Sequence, residues 1–217
     1  MAVSPERRFR KARIWSNTEM ARLAPFFEGD IVNVSGWDDR DKEGRRYRDY
    51  FTKASSYSIT NYAGERGFQG ETGEIPLDLE KPLAPELEKR FDVVFNHTTL
   101  EHVFDVVSAF NNMCAMAKEA VIVIVPFAQV EHWSDSYGDY WRISGQALER
   151  LFKNAGYTMI YCSANDDADG AVYVLGIGVR NPDVWQGRLP EATYKRPLAN
   201  WLGRETFVDR LLRRIGL

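Results

Sequence analysis

Two stretches hold most of the residues able to do chemistry. The first is Asn96-His97-Thr98-Thr99-Leu100-Glu101-His102, which packs two imidazoles, a carboxylate, an amide and two hydroxyls into a short span. The second covers residues 126–142. It carries His132, Asp135 and Asp139 as proton acceptors, Arg142 as a cation, and Trp133, Tyr137, Tyr140 and Trp141 as flat apolar walls. That mixture suits a pocket for a polar, ring-shaped molecule. His132 is the preferred general base, oriented by Asp135 or by Asp139. A structural alternative makes Asp139 and Arg142 an ion pair and Trp141 a core plug. His97, Glu101, His102 and His132 are all good metal ligands in kind. Their spacing matches no recognised metal signature, so no metal is expected.

The elements around these residues can be read from apolar patterning. Residues 92–95 (Asp-Val-Val-Phe) and 121–125 (Val-Ile-Val-Ile-Val) are short and strand-prone, without polar alternation, the habit of strands covered on both faces. Between them Val103, Val106, Val107, Phe110, Met113, Cys114 and Ala117 recur at helical spacing. Strand, helix and strand make a right-handed βαβ unit. The Asn96–His102 stretch then falls at the carboxyl end of its first strand, where open α/β sheets bind ligands.

The rest of the chain extends this unit. Residues 30–35 and 57–60 read as the first two strands. Tyr47, Tyr50 and Phe51, in the charged segment between the first two strands, are spaced to face the sheet as a helix would. The intervening loop, 63–74, has four glycines and no periodicity. Prolines 82 and 85 flank a short helix over 84–90. A clear helix covers 144–157, capped by Ser144 and closed by Ala155-Gly156. Residues 158–162 and 171–179 are the last strands. An N-terminal helix is predicted over 16–27, capped by Ser16 or Asn17, with Trp15, Met20, Leu23, Phe26 and Phe27 on its apolar side. It lies over the cleft or packs on the sheet edge. The expected organisation is a basic segment and helix over 1–29, one domain over 30–180, and an extension over 181–217 ending in an amphipathic helix.

Composition bounds the function. With 217 residues, 44% of them hydrophobic and 13% aromatic, the chain can bury one sizeable core. A net charge of −3 gives no global sign of nucleic-acid binding. Residues 1–23 and 195–217 each carry +4, which leaves −11 for the middle. Basic ends and an apolar C-terminal helix suit a homo-oligomer, or two solvated helices. Cys114 and Cys162 read as reduced core residues. No apolar run reaches membrane-spanning length, and the first residues lack a signal-peptide core. A cytoplasmic location is expected.

The sequence FDVVFNHTTLEHVFD at 91–105 resembles the fourth motif of class I S-adenosylmethionine-dependent methyltransferases, written fDvv…LEHv.d. HWSDSYGDYWRIS at 132–144 is similar to a His…DYxR segment in one branch of those enzymes. The resemblance spans about residues 30–180. It implies an α/β fold, a three-layer Rossmann-like sandwich with a seven-stranded, mostly parallel sheet ending in an antiparallel hairpin. It also implies S-adenosylmethionine as cofactor. The family's glycine turn, (D/E)xGxGxG, corresponds here to Asn33-Val34-Ser35-Gly36-Trp37-Asp38-Asp39, which keeps Gly36. By the resemblance, Ser35 and Gly36 approach the cofactor and Asn61 takes the place of the ribose-binding acid. Asp78 and Leu79 lie by the adenine, and Asn96 and His97 by the methionine portion, while His102 is structural. Trp133, Tyr137, Asp139, Tyr140 and Arg142 would bind the acceptor, and His132 with Asp135 would be catalytic. The acceptor implied is a small polar molecule, possible classes including a sugar or glycan precursor. The altered turn also suits a methyltransferase-like protein that is inactive and serves as a binding or regulatory subunit.

Overall fold

The computed structural model describes residues 5–62, 67–165 and 171–192. Among them, four α-helices and seven strands run in the order α1 (Pro5–Leu23), β1 (Glu28–Val34), β2 (Lys53–Asn61), β3 (Glu74–Pro76), β4 (Phe91–His97), α2 (Val106–Met116), β5 (Ala117–Ala128), α3 (Gly145–Asn154), β6 (Thr158–Ala164), β7 (Val172–Val179) and α4 (Pro182–Trp185). The strands form one sheet in the order β3-β2-β1-β4-β5-β7-β6. The five strands from β3 to β5 are parallel, and β7 inserts antiparallel between β5 and β6. This is the seven-stranded, mostly parallel sheet with a terminal antiparallel pair that the resemblance implies. Strand order reverses between β1 and β4, which opens a crevice at their carboxyl ends.

Two apolar cores sit on the two faces of the sheet. Alternate residues of β5 serve each: Ala120, Ile122 and Ile124 one core, Val121, Val123 and Val125 the other. The first core is closed by Met20, Leu23 and Phe27 from the N-terminal segment, by Tyr47, Tyr50 and Phe51, and by Trp185, whose ring lies 4.8 Å from that of Phe27. The second is closed by α2 and α3 through Phe110, Met113, Leu148 and Phe152. Ser144 caps α3 by accepting from the Ala147 N–H, and Gly156 at φ 79° ends it. Phe152 presses so closely on β7 that a Cβ at Gly178 would lie 2.2 Å from its ring. Gly178→Ala is therefore expected to cost about 1–3 kcal/mol by overpacking. A thermal melt reads this, and an unchanged Tm would mean that the ring yields freely.

Several expectations need correction. The N-terminal helix starts at residue 5 and ends at Leu23, so Ser16 and Asn17 lie inside it and cap nothing. Ser16 instead bonds back to the Arg13 carbonyl at 2.8 Å. Phe26 is exposed rather than packed. Between β1 and β2 there is no crossover α-helix. Tyr47–Tyr50 form a single 3₁₀ turn that still buries both tyrosines. Residues 84–90 hold only the turn Pro85–Leu87. Trp141 is no core plug: it is exposed, and its Nε1–H donates to the Val103 and Phe104 carbonyls. The C-terminal helix expected at 204–215 lies outside the described residues. No described helix is long and apolar enough to cross a membrane.

α2 passes into β5 without a connecting loop, Met116 ending one and Ala117 starting the other. The last carbonyls of the helix are met from outside. Tyr157 Oη donates to Cys114 O at 2.8 Å and to Ala117 O at 3.1 Å, and Arg180 donates to the same two oxygens. Lys89 N–H donates to Ala115 O. These bonds take the place of a cap.

Candidate functional site

The turn after β1 is built on strained backbone. Ser35, Trp37 and Asp39 have φ of 55°, 47° and 59°, the left-handed region that side chains disfavour. The turn thus keeps the conformation that glycine would give while carrying larger residues. Its neighbours hold it there. Asn61 grips Trp37 at both backbone ends, accepting from its N–H at 2.7 Å and donating to its carbonyl at 3.1 Å. Buried Asp39 accepts from Asn33 Nδ2, Tyr57 Oη and the Arg48 N–H. Burial raises the Asp39 carboxyl, and those three donors partly offset the rise. Gly36 is needed for space, because a Cβ there would lie 2.5 Å from Asn33 Nδ2.

The turn after β4 forms the facing wall. His97 is enclosed by Ser16 Oγ at 2.9 Å from Nε2 and Thr98 Oγ1 at 3.0 Å from Nδ1. Burial, and then the charge of Arg13, lower its pKa to about 3, so the ring is neutral. The next residues form the 3₁₀ turn Leu100–His102. The Glu101 carbonyl accepts from the N–H groups of Tyr140 and Trp141, which pins the long post-β5 loop onto this turn. Asp139, with its side chain fully buried, then binds both Arg142 nitrogens at 2.6 Å and the His132 N–H at 2.7 Å. His132 Nδ1 lies 3.1 Å from the same carboxylate. Burial opposes ionisation of Asp139, but the Arg142 and His132 contacts outweigh it and hold the carboxyl below its ordinary value. His102 Nδ1 donates to Gly138 O, and its ring sits 4.9 Å from that of His132 and 4.7 Å from that of Tyr137.

Between these walls lies a cavity of about 240 Å³. Ser35, Gly36 and Trp37 line one side; His97, Thr98, Thr99 and His102 line another; His132 and Tyr137 face them. Arg13 from α1 and Arg40 and Lys42 from the loop after β1 add positive charge. The helix α1 thus covers the crevice as well as packing on the sheet. These three cations escaped sequence reading. They sit in runs that look like solvated charge, and only the topology sets them around one cavity.

The structure brings Ser35, Gly36, His97, His132 and Tyr137 together and leaves the other expected site residues apart. Asn61 is buried, and its amide is committed to Trp37 and to Glu74 Oε1, so it does not present itself to a ribose. Asp78 accepts from the Glu80 N–H in a turn, and Leu79 is buried in the second core. Asn96 is fully buried, its Nδ2 tying β4 to the Val34 carbonyl. Asp135 is exposed, on a turn bracketed by the Ser134 and Tyr137 bridge, and Asp139 alone meets His132. Trp133 is 65% exposed, and 51% exposed Tyr140 packs on Phe104. Asp139 and Arg142 form the ion pair of the structural alternative.

Neither known family profiles nor curated proteins match the chain. Solved structures do. Magnesium protoporphyrin IX methyltransferase from Synechocystis PCC 6803, with bound SAH, aligns at a TM-score of 0.53 and 8% identity, over 83% of this chain and 89% of that one. An S-adenosylmethionine-dependent methyltransferase from Mesorhizobium loti aligns at 0.52 and 13% identity, over 78% and 98%. A chain of the Haloferax volcanii complex between the Trm112 methyltransferase activator and a candidate methyltransferase aligns at 0.55 and 13%, over 79% and 91%. The fold is that of the class I S-adenosylmethionine-dependent methyltransferases.

Proposed function

We propose that the chain is an S-adenosylmethionine-dependent methyltransferase acting on a small, polar, negatively charged acceptor. One observation carries the reading: the post-β1 turn adopts left-handed backbone at Ser35, Trp37 and Asp39, around Gly36, and it borders a cavity at the switch point of the sheet. Holding that shape with Ser, Trp and Asp costs about 1 kcal/mol or more per residue, and the three fall together at the cavity. The methionine portion of the cofactor would lie along Ser35, Gly36 and His97. Its carboxylate would meet Arg13, Arg40 or Lys42, and the remaining positive charge would serve the acceptor. A glycan precursor bearing phosphate or carboxylate belongs to that class. His132, oriented by Asp139 and lining the cavity, would take the proton that leaves the acceptor.

The transfer is an in-line displacement, so the walls must align nucleophile, methyl carbon and sulfur. Trp37, 47% exposed above the turn, and Tyr137 are the side chains that would move to admit the adenosyl group, since 240 Å³ is below the usual range for a ligand of that size.

A second reading, a methyltransferase fold kept as a binding subunit, is favoured by Asn61, whose commitment to Trp37 and Glu74 removes the ribose partner. Calorimetric titration of the full chain with S-adenosylmethionine separates the two. Micromolar binding is expected. Absence of heat at millimolar cofactor would sink the enzyme reading in favour of the subunit.

A further inference from the structure

We infer that Glu101, His102 and His132 bind a divalent transition-metal ion in the wall of the cavity. One ligand atom of each lies within 4.8 Å of the other two. The Glu101 side chain is 1% exposed, and neither of its carboxylate oxygens has a hydrogen-bond partner. Buried carboxylates are normally satisfied, and a cation is the partner this one is placed to take.

Both imidazoles are held as ligands are held. The Nδ1–H of His102 donates to the Gly138 carbonyl, so its Nε2, 3.8 Å from Glu101 Oε1, carries the lone pair. The Nδ1 of His132 pairs with the Asp139 carboxylate, which directs its Nε2 lone pair outward. A second carboxylate or carbonyl behind each ring is the usual means of orienting a metal-bound histidine. The Gln129 amide nitrogen is 3.3 Å from His132 Nε2 and must turn aside. The same nitrogen lies 3.1 Å from His132 Nδ1, and the Gln129 Oε1 is buried without a partner, so turning the amide exchanges one contact for another.

Metal–ligand bonds of about 2.0–2.2 Å bring tetrahedral donors to roughly 3.4 Å from one another. The widest pair must close by a little over ~1 Å. Two imidazoles and one carboxylate suit Zn²⁺, Co²⁺ or Mn²⁺, whereas Mg²⁺ and Ca²⁺ prefer oxygen alone. His97 is no member of the set, since its nitrogens face Ser16 and Thr98. Sequence spacing hides the site because the loop after β5 brings His132 back to the turn after β4.

His102 and His132 also line the cavity, so the ion's open positions face it. Its role rests on the methyltransferase reading, although its binding does not. A hydroxyl of the acceptor coordinated there loses its proton to water more readily. The oxygen then forms a bond to the methyl carbon as the carbon–sulfur bond breaks, with that electron pair left on sulfur. In this state His132 serves as ligand, not as free base.

The full chain, stripped with a chelator and titrated calorimetrically with Zn²⁺, is expected to bind one equivalent at micromolar affinity or tighter. Co²⁺ is expected to give visible absorption bands at the same stoichiometry. Glu101→Gln keeps the volume without the charge, and His132→Asn removes one ring. Each should weaken Zn²⁺ binding by about 100-fold and lose the rise in Tm that Zn²⁺ gives the parent, with melts verifying that both variants fold. No binding, or binding unchanged in both variants, overturns the site. Methyl transfer after chelation tests the role alone: a chain that binds Zn²⁺ and cofactor yet transfers equally well without metal overturns the role and keeps the site. A chain that binds Zn²⁺ but not S-adenosylmethionine supports the site and removes the transferase reading instead.

Discussion

Replacing His132 by Ala is expected to slow methyl transfer by about 10²–10⁴-fold, the worth of a positioned acid–base group, with cofactor affinity unchanged. The imidazole lies across the cavity from the Ser35–Gly36 turn, so its removal leaves the cofactor's backbone contacts in place. His132 is held by two bonds to one buried carboxylate, through its backbone N–H and through Nδ1, and by the edge of His102. A side chain fixed in that way has little freedom to be an accidental neighbour. The loss is expected whether the ring accepts the proton itself or holds the ion that releases it. Turnover within tenfold of the parent would remove His132 from the chemistry. A parallel loss of cofactor affinity would reassign it to the cofactor.

Asp139→Ala should be the most damaging single change to stability in the loop. Its carboxylate is fully buried and bridges Arg142, the His132 N–H and the His132 ring. Removing one member of a buried pair strands the other, at a cost of about 3–5 kcal/mol. The lower end, about 3 kcal/mol, is expected because the Arg142 side chain stays 27% exposed and water relieves part of the loss. For a chain of this size that lowers Tm by roughly 6–12 °C. Arg142→Met alongside it should recover part of the stability by removing the stranded charge. Strictly additive effects in that double-mutant cycle would show that the pair does not latch the loop.

The layered fold was legible because its strands are written as uninterrupted apolar runs. Val121–Val125 admits no half-exposed reading, and Ser144 and Gly156 punctuate α3 in the usual way. Boundaries were less legible. α1 starts eleven residues before the expected residue 16 because its first turns are basic and carry no apolar stripe to announce them. The absent helix between β1 and β2 was hinted at by a charged run with only Tyr47, Tyr50 and Phe51 to bury. At the site, His97, His132 and the Ser35–Gly36 turn could be placed from their positions at strand ends. Asn61, Asp78, Leu79 and Asn96 could not. A polar residue at the end of a strand has the same appearance whether it faces a ligand or ties two backbones together. Glu101 was weighed as a metal ligand in kind and set aside on spacing: nothing in the letters LEH says that the acid is buried and that His132 returns beside the second imidazole.

The seamless join between α2 and β5 matters for a distance measured elsewhere. Both faces of β5 are apolar, so sliding the strand by one residue would only exchange Ile122 and Ile124 for Val121, Val123 and Val125. Hydrophobic patterning is a poor ruler for such a strand. The helix end at Met116, anchored by Tyr157 and Arg180, supplies the zero mark, because no slack exists between it and the strand. One residue of slip would carry the far end of β5 about 3.3 Å along its axis, beyond the tolerance of the 2.7 Å bond by which the Tyr140 N–H pins the His132 loop to the Glu101 carbonyl. The height of the chemistry above the sheet is therefore gauged from the opposite edge of the molecule.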